Sequence, residues 1–366
     1  SEMCIRDRGR SMNNIDYFRN AKYGLMIHFG LYSLLGGFYK GKKGPAYAEW
    51  IQAFHKIPVS EMKTLAKAFD PIYFNADEIC DLAVKCGMKY IVITAKHHEG
   101  FALYKSEADS FNICDATPFG RDIISEMSGA CRKYGLKLGL YYSQCIDWNE
   151  KHGGGYKSDP EGAAGVSWEN SWDFPDKSEK DYGILFNKKI LPQIKELMTN
   201  YGDIFLVWFD MPLDTDPDFS SKIYETVKKL QPDCLINSRL GNGFYDYVSL
   251  GDNEIPEKIP EDCISDHNDI YGFKRSPYGL YESACTLNRS WGYSSVDNEW
   301  KSPEKILENR LRLEKTGINY LINAGLDWMG RVPYRAAEIL LETQELYKKV
   351  RCSEKDRTRR TEIDAC

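Results

Sequence analysis

Residues 89–99 read KYIVITAKHHE, an apolar run that ends in basic and acidic side chains. Residues 90–95 contain no charged side chain, and a short run of this kind is typical of a strand buried on both faces. Such strands occur mainly in parallel sheets, because helices cover both faces of those sheets. The segment therefore predicts a parallel sheet, with His97 and His98 directly after one of its strands.

Similar runs recur along the chain and alternate with stretches that have apolar residues at helical spacing. Predicted strands occupy 23–29, 89–95, 136–143, 204–209, 234–239, 245–251, 283–288 and 318–324, and predicted helices occupy 59–69, 75–86, 121–134, 180–200, 219–230, 303–316 and 334–350. Eight strands, mostly followed by helices, predict an α/β fold, a (β/α)8 TIM-like barrel rather than an open doubly wound sheet. The helical pattern is weak between residues 239 and 291, so we expect the barrel to be irregular between strands 5 and 7.

The pattern assigns one catalytic barrel to residues 16–350. Residues 1–15 and 351–366 are charged and lack apolar periodicity, which predicts mobile tails. The polar segment 149–179 is longer than a simple connection, which predicts a functional loop. No GxGxxG follows the first strand, and this argues against a dinucleotide site.

Composition and charge exclude several classes of protein. The 366 residues include 48 basic and 54 acidic side chains, and this acidic balance argues against a nucleic-acid-binding protein. No apolar run approaches the ~20 residues of a membrane helix, so no membrane partner is expected. We expect a soluble protein that is cytoplasmic, or periplasmic or secreted if a signal peptide has been removed. The 11 cysteines form no CxxC pair, which favours reduced, mostly buried thiols.

Catalytic side chains of such a barrel come from the carboxyl ends of its strands. The candidates at those ends are His28, His97, His98, Glu99, Tyr141, Tyr142, Trp208, Asp210, Arg239, Asp252, Glu254, Glu257 and Trp291. Aromatic rings, neutral histidines and carboxylates together suit an uncharged ligand rich in hydroxyl groups, and 13% of the chain is aromatic. Paired carboxylates are also the machinery of glycoside cleavage.

Two other hydrolase classes fit these residues less well. The chain has no GxSxG motif, which argues against a serine hydrolase of the α/β-hydrolase type. His28 has no HxH partner, and the adjacent His97 and His98 would point in different directions, so the histidines do not match a metal site. We therefore expect no metal and no cofactor.

Several longer strings resemble the α-L-fucosidases of glycoside hydrolase family 29. They are YGLMIHFGLYS, AEWI, KYIVITAKHHEGFALYKSEADSFN, DATPFGRDI, LKLGLYYSQCIDW, DIFLVWFD and NYLINAG. The similarity covers roughly residues 16–348, nearly the whole predicted barrel. Many members of the family carry a C-terminal β-sandwich, whereas this chain ends soon after the last predicted barrel helix, so no β-sandwich is expected.

The resemblance implies roles for individual residues. Asp210, in the WFD string, matches the catalytic nucleophile of the family. The sugar-binding positions that it implies are His28, Glu49, Trp50, His97, His98, Tyr141, Trp208, Arg239 and Trp291. Trp291 matches an aromatic residue that lies beneath the methyl group of fucose. The family usually has glycine after the nucleophile, whereas this chain has Met211.

The general acid/base is implied by a less regular match. The segment GDNEIPEKIP (251–260) is similar to a stretch of the subgroup that acts on α-1,3/1,4-linked fucose, and the alignment puts the acid/base at Glu257. Glu254 and Glu49 remain rivals, because an extended loop can present any of these carboxylates. The resemblance thus predicts Glu257 as the acid/base and a preference for α-1,3/1,4 linkages.

The family resemblance also implies a retaining mechanism. One carboxylate attacks the anomeric carbon, while a second, ~5–5.5 Å away, protonates the leaving oxygen. Asp210 must stay ionised, and hydrogen bonds from His and Trp N–H groups are expected to favour its charged form. The expected partner is a fucosylated oligosaccharide or glycoconjugate. Two alternatives stay open: a metal-dependent hydrolase on the same barrel, and a catalytically inactive fucose-binding protein.

Overall fold

Eight parallel strands form the centre of the molecule. They are β1 (Tyr23–His28), β2 (Tyr90–Lys96), β3 (Lys137–Ser143), β4 (Leu206–Asp210), β5 (Leu235–Ile236), β6 (Val248–Ser249), β7 (Tyr281–Thr286) and β8 (Asn319–Gly325). The strand order is β5-β4-β3-β2-β1-β8-β7-β6, with every neighbouring pair parallel. A single bridge between Asn237 and Tyr247 joins the two ends of this sheet. The predicted (β/α)8 barrel is therefore confirmed.

The computed structural model describes residues 13–154, 166–212, 216–259 and 275–364. Its α-helices are Asn14–Ala21, Leu31–Leu35, Ile51–His55, Val59–Ala66, Ala76–Lys85, Ile113–Ala116, Ile123–Tyr134, Tyr182–Leu185, Leu191–Asn200, Pro217–Leu230, Pro303–Thr316 and Tyr334–Asp364. Short 3₁₀ turns occupy Ala48–Trp50, Lys177–Glu179 and Ser238–Leu240, a π-helix occupies Phe186–Ile190, and a small hairpin pairs Phe38–Tyr39 with Lys42–Lys43. No helix in these ranges is long and apolar enough to cross a membrane.

The barrel helices begin and end where the sequence supplies capping residues. The side chain of Asp122 accepts a hydrogen bond from the Ser125 amide, and Gly135 ends that helix in a left-handed conformation. Ser302 and Gly317 bound a later helix in the same way. Such caps satisfy backbone groups that have no partner within the helix, and they fix the short loops that return the chain to the next strand.

Helices of the structure extend into both segments that the sequence predicts to be tails, and the mobility of those tails stays a prediction. The first helix starts at Asn14, and the last helix continues past residue 350 to Asp364. This last part has no apolar stripe, so its sequence carries no helical periodicity to detect. Arg351, the first residue of this part, pairs with Glu354 at 2.9 Å and also with Glu314 of the preceding helix. Residues 1–12, 365 and 366 lie outside the described ranges, as do 155–165 of the predicted functional loop.

The two shortest strands lie where irregularity was expected. β5 and β6 have two residues each, whereas β2, β3 and β8 have seven. After these two residues of β5, the chain forms a 3₁₀ turn, Ser238–Leu240, where the sequence predicts the end of the strand. This turn directs Arg239 toward the barrel axis at the carboxyl ends of the strands.

The barrel interior contains a buried carboxylate beneath the carboxyl end of the strands. Glu282 on β7 accepts hydrogen bonds from the Tyr90 hydroxyl at 2.6 Å and from Trp208 Nε1 at 3.0 Å. Burial raises the pKa of Glu282 to about 7, although both hydrogen bonds oppose the shift. Through this bond Glu282 holds the Trp208 indole, which faces the site above it.

Candidate active site

A cavity of about 340 Å³ opens at the carboxyl ends of the strands, where the sequence predicts the site. Its walls are formed by Met26, His28, Tyr47, Glu49, His97, Tyr141, Trp208, Asp210, Arg239, Asp252 and Trp291. This space includes part of the open mouth of the cavity.

Asp210, the last residue of β4, is buried in the cavity wall and holds two hydrogen bonds. Its Oδ2 accepts from the Tyr141 hydroxyl at 2.7 Å, and its Oδ1 accepts from Arg239 Nη1 at 3.3 Å. Burial raises the pKa of Asp210, and the Arg239 charge and the Tyr141 bond oppose that shift. The expected donors were His and Trp N–H groups, and that expectation is wrong: the Trp208 N–H is bonded to Glu282 and the His28 Nδ1 to Asn323.

Arg239 connects Asp210 to a second carboxylate. Its Nη2 donates to Asp252 Oδ1 at 2.5 Å and to the Leu250 carbonyl at 3.2 Å, while its guanidinium lies 4.6 Å from the centre of the Trp208 ring. The planar guanidinium presents its N–H groups in a fixed fork, so two carboxylates on one fork must lie close together. Asp252 has 27% of its side chain exposed and so lies at the open side of the cavity.

His28 is held as a neutral hydrogen-bond acceptor. The Nδ2 of Asn323 donates to the Trp291 carbonyl at 2.8 Å, so its Oδ1 must accept from His28 Nδ1, 2.7 Å away. Burial lowers the pKa of His28 to about 4, although the hydrogen bond that His28 donates to Asn323 opposes that shift. The Nε2 of His28 therefore carries no proton, and it can accept a hydrogen bond from a hydroxyl group in the cavity.

His97, Tyr141 and Trp208 form one stack of rings along the cavity wall. The ring centres are 5.2 Å apart for His97 and Tyr141, and 5.5 Å apart for Tyr141 and Trp208, with both pairs nearly parallel. Burial lowers the pKa of His97 well below its ordinary value, so its imidazole is neutral. Its Nδ1 is buried without a hydrogen-bond partner in the described part of the chain.

Glu49 lies in a 3₁₀ turn and is also buried in the wall. Its Oε2 accepts from the Gly292 amide at 2.7 Å and from the Ser290 hydroxyl at 3.4 Å. Burial raises the pKa of Glu49 to about 7, against those hydrogen bonds. Burial thus favours the protonated form of this carboxyl group more than in an exposed glutamate.

Two predicted sugar-binding residues lie behind the wall rather than in it. His98 packs against His97 with ring centres 4.0 Å apart and bonds Ser143 Oγ through Nδ1 at 2.7 Å. Trp50 packs edge-on against His98 and against Trp148, with ring centres 5.0 and 5.4 Å apart. Neither lines the cavity, because the turn at Ala48–Trp50 directs Glu49 inward and Trp50 into a tryptophan cluster.

The third predicted residue outside the cavity is Glu257. Its side chain is exposed to solvent on the loop after β6 and is not among the residues that line the cavity. Its rival Glu254 accepts from the Gly251 amide at 2.8 Å, within its own turn. The other eight predicted site residues do line the cavity. Tyr47 and Met26 were missed, and Asp252 was recognised only as a residue at a strand end.

Met211, directly after Asp210, has a left-handed backbone with φ 57°. That conformation favours glycine, which explains why glycine is common at this position in the family that the sequence resembles. Here the Met211 side chain packs into the cluster of Trp50, Trp148 and Trp168 instead. The packing compensates for the strained backbone next to the predicted nucleophile.

A buried ion cluster holds the histidine loop from behind. Lys189 Nζ lies 2.8 Å from Asp147 Oδ2 and 2.5 Å from Asp109 Oδ2, and it donates to the Gly100 carbonyl at 3.2 Å. Lys96, the residue before His97, lies 3.3 Å from the same Asp147 oxygen. The π-helix Phe186–Ile190 carries Lys189, and π-helical turns are frequent near functional sites.

The donor groups of the site do not form a metal centre. Within the described ranges, no three His, Cys, Asp or Glu side chains are grouped so that they would hold a metal ion. The Nδ1 atoms of His28 and His98 are bonded to Asn323 and Ser143, which are polar side chains of the protein.

Comparisons with known proteins agree on one family. The sequence model of the family described as "Alpha-L-fucosidase" matches residues 7–349. The α-L-fucosidase of Dictyostelium discoideum is 25% identical over 359 residues, which cover 89% of this chain and 68% of that protein. The plasma α-L-fucosidase of Pongo abelii is 30% identical over 329 residues, which cover 84% of this chain and 62% of that protein.

Solved structures give the same result. Unliganded α-L-fucosidase AlfC from Lactobacillus casei is 54% identical with a TM-score of 0.86, covering 92% of this chain and 99% of AlfC. An α-L-fucosidase from Vibrio sp. strain EJY3 is 34% identical with a TM-score of 0.80, covering 93% of this chain and 56% of that one. A variant of AlfC with one aspartate replaced by alanine has also been solved with Fucα1,6GlcNAc and with 4-nitrophenyl α-L-fucopyranoside.

Proposed function

The chain belongs to the α-L-fucosidase family of glycoside hydrolases, and from this premise we propose that it is a retaining α-L-fucosidase whose nucleophile is Asp210. The observation that carries the proposal is the pair of carboxylates, Asp210 and Asp252, on one Arg239 guanidinium in the wall of this cavity. Retaining glycosidases need two carboxyl groups ~5–5.5 Å apart, and a shared guanidinium favours such proximity.

In the first step Asp210 attacks the anomeric carbon of fucose. The bond between that carbon and the leaving oxygen breaks, and a proton donor neutralises the oxygen. In the second step water attacks the fucosyl–Asp210 ester, and the same donor, now a base, takes the proton from the water. Arg239 and Tyr141 supply N–H and O–H groups that stabilise the carboxylate when it leaves.

Asp252 is the acid/base that the geometry favours. It lies at the open side of the cavity, where the leaving sugar departs, and it is linked to the nucleophile through Arg239. Glu49 is a second candidate, because it lines the cavity and burial raises its pKa to about 7. The sequence-based candidate, Glu257, remains a prediction, and it requires a movement of the loop after β6 toward the cavity.

The remaining wall suits a neutral deoxy sugar. His28 offers Nε2 as an acceptor for a fucose hydroxyl, and the neutral His97 ring lies beside it in the cavity wall, with the two ring centres 5.4 Å apart. Trp291 packs 5.4 Å from His28, ring centre to ring centre, and its indole provides an apolar wall for the fucose methyl group. A family member without catalytic activity would keep these contacts, but it would not need the Asp210–Asp252 pair.

We propose α-1,6-linked fucose on N-acetylglucosamine as the preferred linkage. The support is the 53–54% identity to AlfC, one structure of which holds Fucα1,6GlcNAc. The α-1,3/1,4 preference is the second candidate and rests on the GDNEIPEKIP segment. Initial rates on Fucα1,6GlcNAc, Fucα1,3GlcNAc and Fucα1,4GlcNAc at equal concentration distinguish the two.

Two variants test the assignment of the carboxylates. Asp210→Gly should lower kcat on 4-nitrophenyl α-L-fucoside by about 10³-fold or more, and azide should partly restore it. Near-normal activity of Asp210→Gly would overturn the nucleophile. Asp252→Ala should lose activity on a disaccharide, whose alkoxide needs a proton, but retain much of it on α-L-fucosyl fluoride, whose leaving group does not. Glu49→Ala and Glu257→Ala are measured beside it, and whichever variant shows that split carries the acid/base.

A further inference from the structure

Glu99 carries a buried carboxyl group that the proposed mechanism does not use. It follows His97 and His98 in the loop after β2, it is 1% exposed, and it does not line the cavity. The Gly100 amide donates to the His97 carbonyl at 3.1 Å, so His97 and Glu99 lie in one tight turn. Burial of a carboxyl group costs free energy unless hydrogen bonds compensate, so the partners of Glu99 indicate what it does.

The partners of Glu99 belong to a different loop, the one after β1. Its Oε1 accepts from the Leu31 amide at 2.7 Å, and its Oε2 accepts from the Tyr32 amide at 3.2 Å. A Cβ on Gly30 would lie 2.2 Å from Glu99 Oε1, so the backbone of this loop reaches the carboxyl group only because residue 30 has no side chain. Glu99 therefore ties the loop after β1 to the loop after β2.

Tyr32 connects Glu99 to two residues of the cavity wall. Its buried ring packs edge-on against His97, with ring centres 5.4 Å apart. The same ring fills the space beside Gly292, where a Cβ would lie 2.9 Å from the Cδ2 and Cε2 atoms of Tyr32. The Gly292 amide in turn donates to Glu49 at 2.7 Å. A shift of the Tyr32 ring would therefore be felt by the wall on both sides.

We infer that Glu99 is a positioning residue for the sugar-binding wall: by fixing the backbone at Tyr32, it sets the ring against which His97 packs. This inference rests on the proposed function, because it takes the cavity as the fucose site. Asp210 takes no part in these contacts, because its hydrogen-bond donors lie on β3 and after β5. Loss of the Glu99 contact should therefore weaken sugar binding more than it slows the chemical step.

The test compares Glu99→Gln with the unmodified protein. It measures kcat on 4-nitrophenyl α-L-fucoside and the inhibition constant of L-fucose, the product of that reaction. The side-chain oxygen of glutamine can still accept from the Leu31 amide, but its NH2 group then faces the Tyr32 amide, and two donors repel each other. The inhibition constant should rise about tenfold, because a buried amide loses its acceptor, whereas kcat should change less.

The matched control is Glu196→Gln. Glu196 also accepts from two consecutive amides, those of Glu107 and Ala108 at 3.0 Å each, but it does not line the cavity and is not bonded to the loop after β1. Equal binding of L-fucose by Glu99→Gln and Glu196→Gln would overturn the inference and leave the proposed function standing. Failure of the unmodified protein to hydrolyse the fucoside would overturn the proposed function, and the inference falls with it if L-fucose is not bound either.

Two further variants separate positioning from folding. Gly30 has an extended backbone, φ 175°, that alanine can adopt, so Gly30→Ala keeps the Glu99 carboxylate but pushes it away from the amides. Its inhibition constant should also rise, and this variant decides the question if Glu99→Gln does not fold. Tyr32→Ala removes the ring and keeps the amide. If Glu99 acts through that ring, the double variant Glu99→Gln/Tyr32→Ala should bind L-fucose more tightly than the product of the two single effects implies, and independent effects would contradict the inference.

Discussion

Lys189→Met removes the cation that holds the buried cluster behind the histidine loop. Lys189 is 1% exposed and faces Asp147 at 2.8 Å, Asp109 at 2.5 Å and Glu150 at 3.8 Å. Met keeps most of the aliphatic volume, so the change removes mainly the charge. Lys96 would then face Asp147 alone, and burial already lowers the pKa of Lys96.

The expected loss of stability is large. Removing one partner of a buried ion pair costs about 3–5 kcal/mol, because the remaining charge stays buried without compensation. Burial opposes ionisation of both partners, but the pKa of Asp147 is lowered by the two lysines and that of Lys189 is raised by the carboxylates. The contribution of Asp147 is present above its unfolded pKa, about 3.9, and is lost as pH falls through its lower folded pKa. The contribution of Lys189 is lost only as pH rises through its raised folded pKa, so the stabilisation that the pair gives the unchanged protein is present between the two unfolded pKa values, about 3.9 and 10.4.

Urea unfolding followed by tryptophan fluorescence measures this difference at pH 5, 7 and 9. Lys188→Met is the control, since Lys188 is the exposed neighbour on the same turn. The midpoint should fall strongly for Lys189→Met and little for Lys188→Met. Because Lys189 also bonds the Gly100 carbonyl, kcat/KM on 4-nitrophenyl α-L-fucoside should fall as well. Equal midpoints for the two variants would refute the view that Lys189 anchors the loop.

Three further predictions follow from the site. Tyr141→Phe removes the hydroxyl bond that lowers the pKa of Asp210, so the acidic limb of the kcat/KM profile should move to higher pH, and an unmoved limb would contradict this. Met211→Gly relieves a left-handed backbone, but it also deletes a buried side chain, which costs ~2–5 kcal/mol of stability. The free energy of unfolding in urea should therefore fall by about 1–4 kcal/mol, and a rise would contradict the prediction. Dialysis against EDTA should leave the hydrolysis rate unchanged, whereas loss that zinc restores would favour the metal-dependent alternative.

The strand ends were predictable because parallel strands bring their carboxyl ends to one face. His28, His97 and Asp210 lie 182 positions apart or less along the chain, yet all three meet in the cavity. Short buried runs reveal such strands in the sequence, and the barrel then determines which residues converge. Asp210 and His97 therefore required no knowledge of loop conformation.

Residues on turns were harder to place. Within the 3₁₀ turn Ala48–Trp50, neighbouring side chains point to different sides, so Glu49 faces the cavity and Trp50 does not. The choice of Asp252 or Glu257 as the acid/base depends on which carboxylate Arg239 contacts. The spacing of residues in the sequence does not encode that contact. Lys189 gave no signal either, because a π-helix changes which residue of a helical pattern faces inward.

A single bridge between Asn237 and Tyr247 closes the barrel between β5 and β6, and this closure is here called the join. β5 and β6 contribute two residues each on either side of it, so few ladder bonds resist separation there. Local opening in a protein starts where the fewest contacts must break. Arg239 follows β5 and Asp252 follows β6, so these two residues lie on opposite sides of the join. When the barrel opens locally at the join, the contact between the Arg239 guanidinium and the Asp252 carboxylate should therefore lengthen first. Asp210 lies on β4, which is paired with β3 along its whole length, and should be disturbed later. Backbone amides at the join should accordingly exchange with deuterium earlier than those of β1 to β4.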